Sequence, residues 1–294
     1  MMDAVIVNYH SSRLLLKCLA SISRASHSAG GRLIICENGP DDIGDRLERS
    51  FPHALYIKNK KNLGFAAAVN IGIRQSDAPY LMILNPDTSV CENFFDSVNA
   101  YMNENRQVGV LGPKVLNEDG TIQGSARSFP TPLTGLFGRT SFLTRFFPAN
   151  RLSRKNVRTD IGDQHIAAIP VDWVSGACMV VRREAVEDVG LLDERFFMYW
   201  EDADWCRRMK SHGWQVVYYP GASIVHAAGK SSEKRRLRSL LAFHLSAYRY
   251  FAKYVKWPLT IFKPFVFMAL ALRFYGKCLG MLMIRRSNQR SINH

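Results

Sequence analysis

Short apolar runs alternate with amphipathic stretches over the first 120 residues, and this alternation limits the fold more than any other feature. Four of the runs are as apolar as strands buried on both faces of a sheet: Ala4–Tyr9, Arg32–Cys36, Ala54–Lys58 and Tyr80–Leu84. Between them, Arg13–Ser26 and Ala66–Gln75 carry apolar residues at helical spacing. The alternation predicts an α/β fold with a doubly wound, largely parallel sheet that binds its ligands at the carboxyl ends of the strands.

The composition is that of an ordinary folded protein. With 294 residues, 47% of them hydrophobic, the chain is long enough for one substantial core and a small appendage. Met1–Asp3 leads directly into an apolar strand without the basic and long apolar regions of a signal peptide, so we expect no secretory signal. The six cysteines are scattered without Cys-x-x-Cys spacing, which favours a reducing compartment over a disulfide scaffold or a zinc site.

Positive charge is concentrated in the last fifth of the chain. Residues 230–294 hold 14 Lys and Arg against a single acid, Glu233, and so carry +13 of the net charge of +14. A single-sign field of this size favours a polyanionic partner, either nucleic acid or an anionic membrane surface. Nucleic acid is the weaker candidate because no recognition motif accompanies the charge.

The same C-terminal region has a helical pattern from Lys234 onward. Its longest uninterrupted apolar run, Pro264–Leu272, has nine residues, whereas a transmembrane helix needs about 20. We therefore expect a basic amphipathic segment lying on an anionic membrane. The alternative is a helical flap that covers the preceding domain and exposes a solvated basic face.

Residues 128–170 interrupt the strand and helix pattern. Prolines at 130, 132 and 148 are followed or flanked by arginines and phenylalanines, with no acid between Arg139 and Arg158. A long functional loop is one interpretation. A variable surface insertion is the other.

An apolar strand ends abruptly at Asn85-Pro86-Asp87, where the proline cannot continue a sheet. A carboxylate at such a strand end points into the crevice of an α/β sheet, where it can hold a divalent cation that bridges nucleotide phosphates. Asn-Pro-Asp is also good turn chemistry, so a plain turn is the alternative.

Three carboxylates, Glu201, Asp202 and Asp204, fall within four positions directly after the aromatic stretch 196–200. Like charges so close together in partly apolar surroundings should raise the pKa of at least one of them. Such an acid can serve as a general base toward a hydroxyl group. A helix N-terminus, where acids complement the dipole, is the other interpretation, and both can hold at once.

Asn62-Leu63-Gly64 precedes a run of small residues that opens a helix. A helix start of this kind offers backbone N–H groups to an anion and lets a diphosphate approach closely. Neither Gly-x-Gly-x-x-Gly nor a P-loop motif occurs, which weighs against dinucleotide-binding and P-loop proteins. His226, at the end of a short apolar strand, becomes a ligand candidate only if folding brings it beside Asp87.

Taken in order, these motifs resemble family 2 glycosyltransferases, especially the rhamnosyltransferase-like branch that acts on bacterial surface polysaccharides and lipid-linked sugars. The resemblance covers roughly residues 3–230 and rests on seven stretches: 5–10, 35–39, 62–70, 84–87, 173–182, 190–204 and 213–226. It implies a GT-A fold over residues 1–230, a Rossmann-like, mostly parallel central sheet with flanking helices. A basic, membrane-associating helical extension over residues 231–294 would follow.

The resemblance also implies which residues bind the donor. The nucleobase and ribose would contact Asn8, Tyr9 and Glu37, the last at a position where most relatives carry Asp. The rest of the donor pocket would be lined by Asn62, Gly64, Asn70 and Asn85. Asn85-Pro86-Asp87 stands where the family has Asp-x-Asp, and Asn in first place leaves fewer charges on the metal. Asp87 and His226 would bind a divalent cation, Mg²⁺ or Mn²⁺.

For the reaction itself, the resemblance makes Asp202 the general base, with Glu201 and Asp204 as its neighbours in the acceptor site. Trp173 and Trp200 would be platforms for the acceptor sugar. The reaction would be a single in-line displacement that inverts the anomeric carbon.

The activity implied is transfer of a sugar, with dTDP-rhamnose as the first candidate donor, to a lipid-linked glycan in cell-surface polysaccharide synthesis. This predicts a cytoplasmic protein bound peripherally to the cytoplasmic face of the membrane, with no nucleic-acid partner. The alternative is a non-catalytic nucleotide-sugar or polyanion-binding protein on the same scaffold, which would not need the three acids. A nucleotidyltransferase typically has a glycine-rich basic loop after its first strand, but His10–Arg13 contains no glycine.

Overall fold

The computed structural model describes residues 1–25, 30–130, 167–227 and 236–292. Its strands are β1 (Met2–Asn8), β2 (Gly30–Glu37), β3 (Leu55–Lys58), β4 (Tyr80–Leu84), β5 (Thr88–Val90), β6 (Val108–Leu116), β7 (Ala126–Arg127), β8 (Ile169–Pro170), β9 (Trp173–Val174), β10 (Cys178–Arg182) and β11 (Gln215–His226). Its α-helices are α1 (Ser12–Ala25), α2 (Gly44–Ser50), α3 (Phe65–Ile73), α4 (Phe94–Glu104), α5 (Arg183–Val189), α6 (Glu201–Ser211), α7 (Arg236–Tyr254) and α8 (Lys263–Ile292). A 3₁₀ turn, Leu259–Phe262, precedes α8.

A mixed sheet organises the fold, in the order β3-β2-β1-β4-β10-β6-β11-β5 with β8 also paired to β11. β3, β2, β1 and β4 form a parallel block. β10 is antiparallel to both β4 and β6, whereas β6 and β11 are parallel to each other. The parallel block aligns the carboxyl ends of β1, β2 and β4 along one edge, which is where an α/β sheet binds its ligands.

The strand and helix alternation predicted for the first 120 residues is confirmed, with one correction. β3 lies at the edge of the sheet and none of its residues is buried, so the prediction that it is buried on both faces is wrong. Neighbouring residues of β1 point to opposite faces of the sheet and pack into two different hydrophobic clusters. This explains why the run is apolar throughout rather than alternating. Ala4 and Ile6 pack with apolar residues of α1 and α4, whereas Val5 and Val7 pack with those of α3 and α6. The short apolar strand that ends at His226 is part of a longer strand, β11, whose register shifts between Tyr219 and Ser223.

The two C-terminal helices differ in their surroundings. α7 packs against the sheet domain, with Ser246 and Tyr250 only 1% and 3% exposed. In contrast, none of the residues 259–281 is buried. This 23-residue stretch is long and apolar enough to cross a membrane, as judged by length and composition alone.

α7 packs on the preceding domain as the predicted flap would. The apolar stretch 259–281 is longer than the nine-residue uninterrupted run indicated. Whether α8 lies on a membrane surface stays a prediction. The functional loop predicted at 128–170 falls mostly within 131–166, outside the described residues.

Candidate active site

The carboxyl ends of β1 and β2 bring Asn8 and Glu37 together as register partners. Asn8 Nδ2 donates to Glu37 Oε2 over 2.5 Å, and the Gly39 N–H donates to Oε1 over 2.6 Å. Both side chains are fully buried, and burial raises the pKa of Glu37 against the opposing effect of these hydrogen bonds. Asn8 Oδ1 is buried and finds no partner in the described part of the chain, so it is an acceptor still to be satisfied. Tyr9 lies beside this pair, edge-on to the His10 ring.

Gly64 connects the start of α3 to the segment before α6. The Asn62 side chain accepts a hydrogen bond from the Gly64 N–H over 2.9 Å, which shapes the turn into the helix. The next amide, that of Phe65, donates to the Phe197 carbonyl over 2.7 Å. Gly64 has a φ of +87°, and a Cβ at this position would lie 2.4 Å from the same carbonyl oxygen. Only glycine fits here without displacing one of the two segments.

Asn70 fastens α3 to the same segment at a second point. Its Nδ2 donates to the Leu192 carbonyl and to Glu194 Oε1, both over 2.9 Å. Its Oδ1 accepts the Leu192 N–H over 3.0 Å. The buried amide thus uses protein partners on both of its ends and positions the loop, so donor contact by Asn70 stays a prediction.

Asp87 and His226 come together across the β5–β11 ladder. His226 Nε2 lies 3.3 Å from Asp87 Oδ1, and both side chains are largely buried. The Ala227 N–H also donates to the Asp87 carbonyl over 2.9 Å, which fixes the two strand ends relative to each other. The condition that the sequence set for His226 as a ligand candidate is therefore met.

Gln123 sets the tautomer of this histidine. Gln123 Nε2 donates to the His226 carbonyl over 2.8 Å and to Asn117 Oδ1 over 2.7 Å, so its Oε1 is the end that faces His226 Nδ1 at 3.0 Å. An amide oxygen only accepts, so Nδ1 carries the proton and the Nε2 lone pair faces Asp87 in the neutral ring. Such support from a second residue is typical of metal-binding histidines.

These donors suit a divalent cation that completes its coordination elsewhere. Among the described residues no group of three or more His, Cys, Asp or Glu side chains could hold a metal. Asp87 and His226 would therefore be the residues that hold such a cation, as one oxygen and one nitrogen donor.

Asp202 lies in the first turn of α6 with both carboxylate oxygens oriented by backbone amides. Gly176 N–H donates to Oδ2 over 3.0 Å and Ala203 N–H to Oδ1 over 2.8 Å. Burial raises the pKa of Asp202, while these hydrogen bonds and the positive charge of Arg127 oppose the rise. Burial thus acts in the direction that the sequence predicts for a carboxyl pKa in this cluster.

Glu201 and the two tryptophans predicted for the acceptor site have contacts of their own. Glu201 is 5% exposed, and its buried Oε2 has no hydrogen-bond partner within the described ranges. Burial, and next the charge of Asp202, raise the pKa of Glu201 well above its usual range. The Trp173 ring lies under Arg127 at 5.0 Å and its indole N–H donates to the Ser128 carbonyl. Trp200 packs against Phe243 and Tyr250 of α7.

Asp204 does not belong to the reaction centre, which corrects the prediction from sequence. Its carboxylate is fully buried and accepts hydrogen bonds from Arg208 Nε over 3.0 Å and from Tyr254 Oη over 2.7 Å. Lys253 Nζ lies 2.7 Å from the same carboxylate. Residues two apart on a helix do not share a face, so Asp204 turns toward α7 while Asp202 turns toward Gly176.

Sequence reasoning missed two residues that matter here, Arg127 and Gln123. Both lie in or beside a short polar segment between β6 and β7 that carries no periodic pattern. No local signal identifies them, because their partners lie far away in the chain: 103 residues separate Gln123 from His226.

The chain is similar in sequence to known proteins. A family model, "Glycosyltransferase like family 2", matches residues 2–241. An N-acetylglucosaminyl-diphospho-decaprenol L-rhamnosyltransferase of Mycobacterium tuberculosis is 30% identical over 304 residues, covering 99% of this chain and 95% of the relative. A dTDP-rhamnosyl transferase of Shigella flexneri is 25% identical over 59% of this chain and 52% of its own length.

Solved structures are similar in fold. GalNAc-T7 with UDP, GalNAc and Mn²⁺ superposes with a TM-score of 0.58 at 14% identity, covering 77% of this chain and 43% of that protein. A mannosyltransferase from Pyrobaculum calidifontis with GDP-Man and Mn²⁺ superposes with a TM-score of 0.56 at 14% identity, covering 90% and 67% respectively.

Proposed function

Because this chain belongs to the glycosyltransferase-like family 2 and has the GT-A fold, we propose that it is a metal-dependent, inverting enzyme that transfers a sugar to a lipid-linked glycan. One observation carries the proposal: the backbone of Gly176 and Ala177 contacts both Asp202 and the strand end before Asp87. The Gly176 N–H binds the carboxylate of Asp202 over 3.0 Å, and the Ala177 carbonyl accepts the Asn85 N–H over 3.0 Å. One short backbone segment thus joins the base to the strand end that bears Asp87.

The names of the relatives supply the substrates of the proposal. The Mycobacterium tuberculosis relative, similar over nearly its whole length, is named for rhamnose transfer to a GlcNAc-diphospho-lipid. We take a deoxysugar nucleotide, dTDP-rhamnose first, as the donor and a saccharide on a lipid diphosphate as the acceptor. Both belong to the synthesis of cell-surface polysaccharide.

Asp202 performs the proton transfer in this mechanism. Its two oxygens are held by the Gly176 and Ala203 amides, which leaves a lone pair directed at an acceptor hydroxyl. The acceptor hydroxyl oxygen bonds to the anomeric carbon while the bond from that carbon to the diphosphate oxygen breaks. Asp202 takes the hydroxyl proton in the same step. With one displacement and no covalent intermediate, the anomeric configuration inverts.

Asp87 and His226 would hold the divalent cation, Mg²⁺ or Mn²⁺, in this proposal. Such a cation would supply positive charge to offset the negative charge on the leaving diphosphate. Gln123 keeps the His226 Nε2 lone pair available, and Asn8 with Glu37 bind the nucleoside end of the donor.

A donor screen tests the activity. Purified protein is incubated with nucleotide sugars, Mn²⁺ or Mg²⁺, and a GlcNAc-diphospho-lipid, and release of the nucleoside diphosphate is measured. Asp202→Asn should bind the nucleoside diphosphate normally and lose most turnover. Asp96→Asn, an exposed change on α4, is the matched control. Normal turnover by Asp202→Asn would exclude this mechanism.

We also propose that the protein works at the cytoplasmic face of a membrane through α8. Support comes from the exposed apolar side chains of this helix, such as Phe265 and Leu272, 71% and 65% exposed, and from the basic charge of the tail. Flotation with vesicles containing anionic lipid should carry the protein upward. Phe265→Ser combined with Leu272→Ser should weaken this, and a wild-type protein that ignores the vesicles would contradict the proposal.

A further inference from the structure

The turn that leads into the base has a backbone that its own residues do not favour. Tyr199 and Trp200 are consecutive, lack the freedom of glycine, and have φ values of +69° and +72°. Left-handed conformation is unfavourable for such side chains, and it persists where surrounding contacts enforce it. Glu201 and Asp202 follow directly, so whatever holds this turn also sets the position of the base.

The contacts that hold the turn come from α7. Ser246, 1% exposed, donates its hydroxyl to the Met198 carbonyl over 2.9 Å. The Phe243 ring lies 5.8 Å from the rings of both Tyr199 and Trp200, and the Tyr250 ring lies 5.3 Å from Trp200. The two left-handed residues are therefore wedged against one face of a helix that is more than 40 residues distant in sequence.

The last turn of α7 also binds residues on both sides of this turn, Asp193 before it and Asp204 after it. Lys253 Nζ lies 2.8 Å from the carboxylate of Asp193 and 2.7 Å from that of Asp204. Tyr254 Oη donates to Asp204 over 2.7 Å. Because Asp204 is fully buried, the bonds that it accepts are screened less than those of exposed charges.

On the other side, the same segment is bound to the donor end of the site. Phe65 N–H donates to the Phe197 carbonyl, and Asn70 holds Leu192 on both its N–H and its carbonyl. Residues 192–204 thus lie between α3 and α7, with hydrogen bonds to each.

We infer that α7 is part of the catalytic apparatus: Lys253 and Tyr254, acting through Asp204, are positioning residues that hold Asp202 against the bound acceptor. The inference rests on the proposed function, in which Asp202 is the base. It separates the tail into a helix that serves the chemistry, α7, and a helix that serves the membrane, α8. Neither Lys253 nor Tyr254 touches the reacting atoms.

Two variants of the full-length protein test this. Tyr254→Phe removes one hydroxyl, and Lys253→Met removes the ammonium while keeping most of the side-chain length. A small misplacement of a catalytic group can cost about 100-fold, so we expect kcat to fall about 10- to 100-fold. The Kd for the nucleoside diphosphate should stay within about twofold. Lys253→Arg should retain kcat within about threefold of wild type, because a guanidinium can bind both carboxylates.

Lys256→Met is the matched control, since it removes the same charge just beyond α7 from an exposed position. Its kcat should equal that of wild type. If Lys253→Met does not fold, Tyr254→Phe decides, because it deletes a single atom.

Wild-type kcat in a folded Tyr254→Phe, or kcat and donor affinity falling together, would overturn the inference and leave α7 a packing helix. No transfer by the wild-type protein would instead overturn the proposed function, and the inference with it.

Discussion

Gly64→Ala tests whether the start of α3 and the segment before α6 depend on one close backbone contact. Gly64 has φ +87° and ψ 172°. This region is essentially reserved for glycine and costs another residue about 1–3 kcal/mol. The new Cβ would also lie 2.4 Å from the Phe197 carbonyl oxygen. A backbone atom obstructs it, so no side-chain rotation relieves the collision.

The collision adds a second cost. Separating the two segments weakens the 2.7 Å hydrogen bond from Phe65 N–H to Phe197. A buried amide that loses its partner costs about 1–3 kcal/mol. Strain and collision together therefore predict a loss of about 2–6 kcal/mol in the free energy of unfolding.

Gly190 provides a control with the same backbone. Its φ is 85° and its ψ 173°, yet a Cβ there would meet nothing within 4 Å. Gly190→Ala should thus cost only the strain, about 1–3 kcal/mol. The difference between the two variants, about 1–3 kcal/mol, measures the collision alone.

Thermal unfolding and donor binding are the assays. At about 2–4 °C per kcal/mol for a chain somewhat shorter than this one, Gly64→Ala should melt about 2–12 °C below Gly190→Ala. It should also bind the nucleoside diphosphate more weakly, because the start of α3 moves. Equal melting temperatures and equal affinities for the two variants would refute the reasoning.

Asp202, Glu201 and Gln123 each give one further expectation. Because burial raises the pKa of Asp202, kcat should decline on the acid side at a pH above about 4, where an ordinary aspartate titrates; a pH profile that stays flat to that point contradicts this. Because burial and the charge of Asp202 raise the pKa of Glu201, its contribution to stability is present at low pH and is lost as the pH rises through the raised pKa. Glu201→Gln should therefore melt higher than wild type at about pH 8, and no gain there would count against a buried, charged Glu201. Gln123→Ala should weaken Mn²⁺ affinity about 10- to 100-fold by freeing the His226 ring, with turnover restored by excess Mn²⁺; unchanged metal dependence would remove Gln123 from the site.

Much of the fold and part of the site could be predicted from local pattern. Strands buried on both faces are continuously apolar, so β1 and β4 stand out in the sequence. The carboxyl ends of parallel strands meet at one edge, which is why Asp87 could be assigned to a ligand site there from its strand alone. Asn8 and Glu37 were assigned to the same site only through the resemblance to the family.

The acidic cluster shows where local pattern stops. Its composition was sufficient to predict a helix start with a raised carboxyl pKa, and α6 begins at Glu201. The composition was not sufficient to predict that the three acids have different contacts. Helix geometry places Asp204 away from Asp202, and the partners that claim it, Lys253 and Tyr254, lie about 50 residues later in the chain.

The sequence by itself determined the α/β class, the order of the motifs and the edge of the sheet where the site lies, because each depends on residue type and short-range spacing. Only the tertiary structure decided that Gln123 orients His226, that Asn70 fastens a loop, and that α7 supports the turn before Asp202. These are contacts between positions far apart in the chain, and they depend on how the layers pack. The local sequence of one segment does not identify its partner.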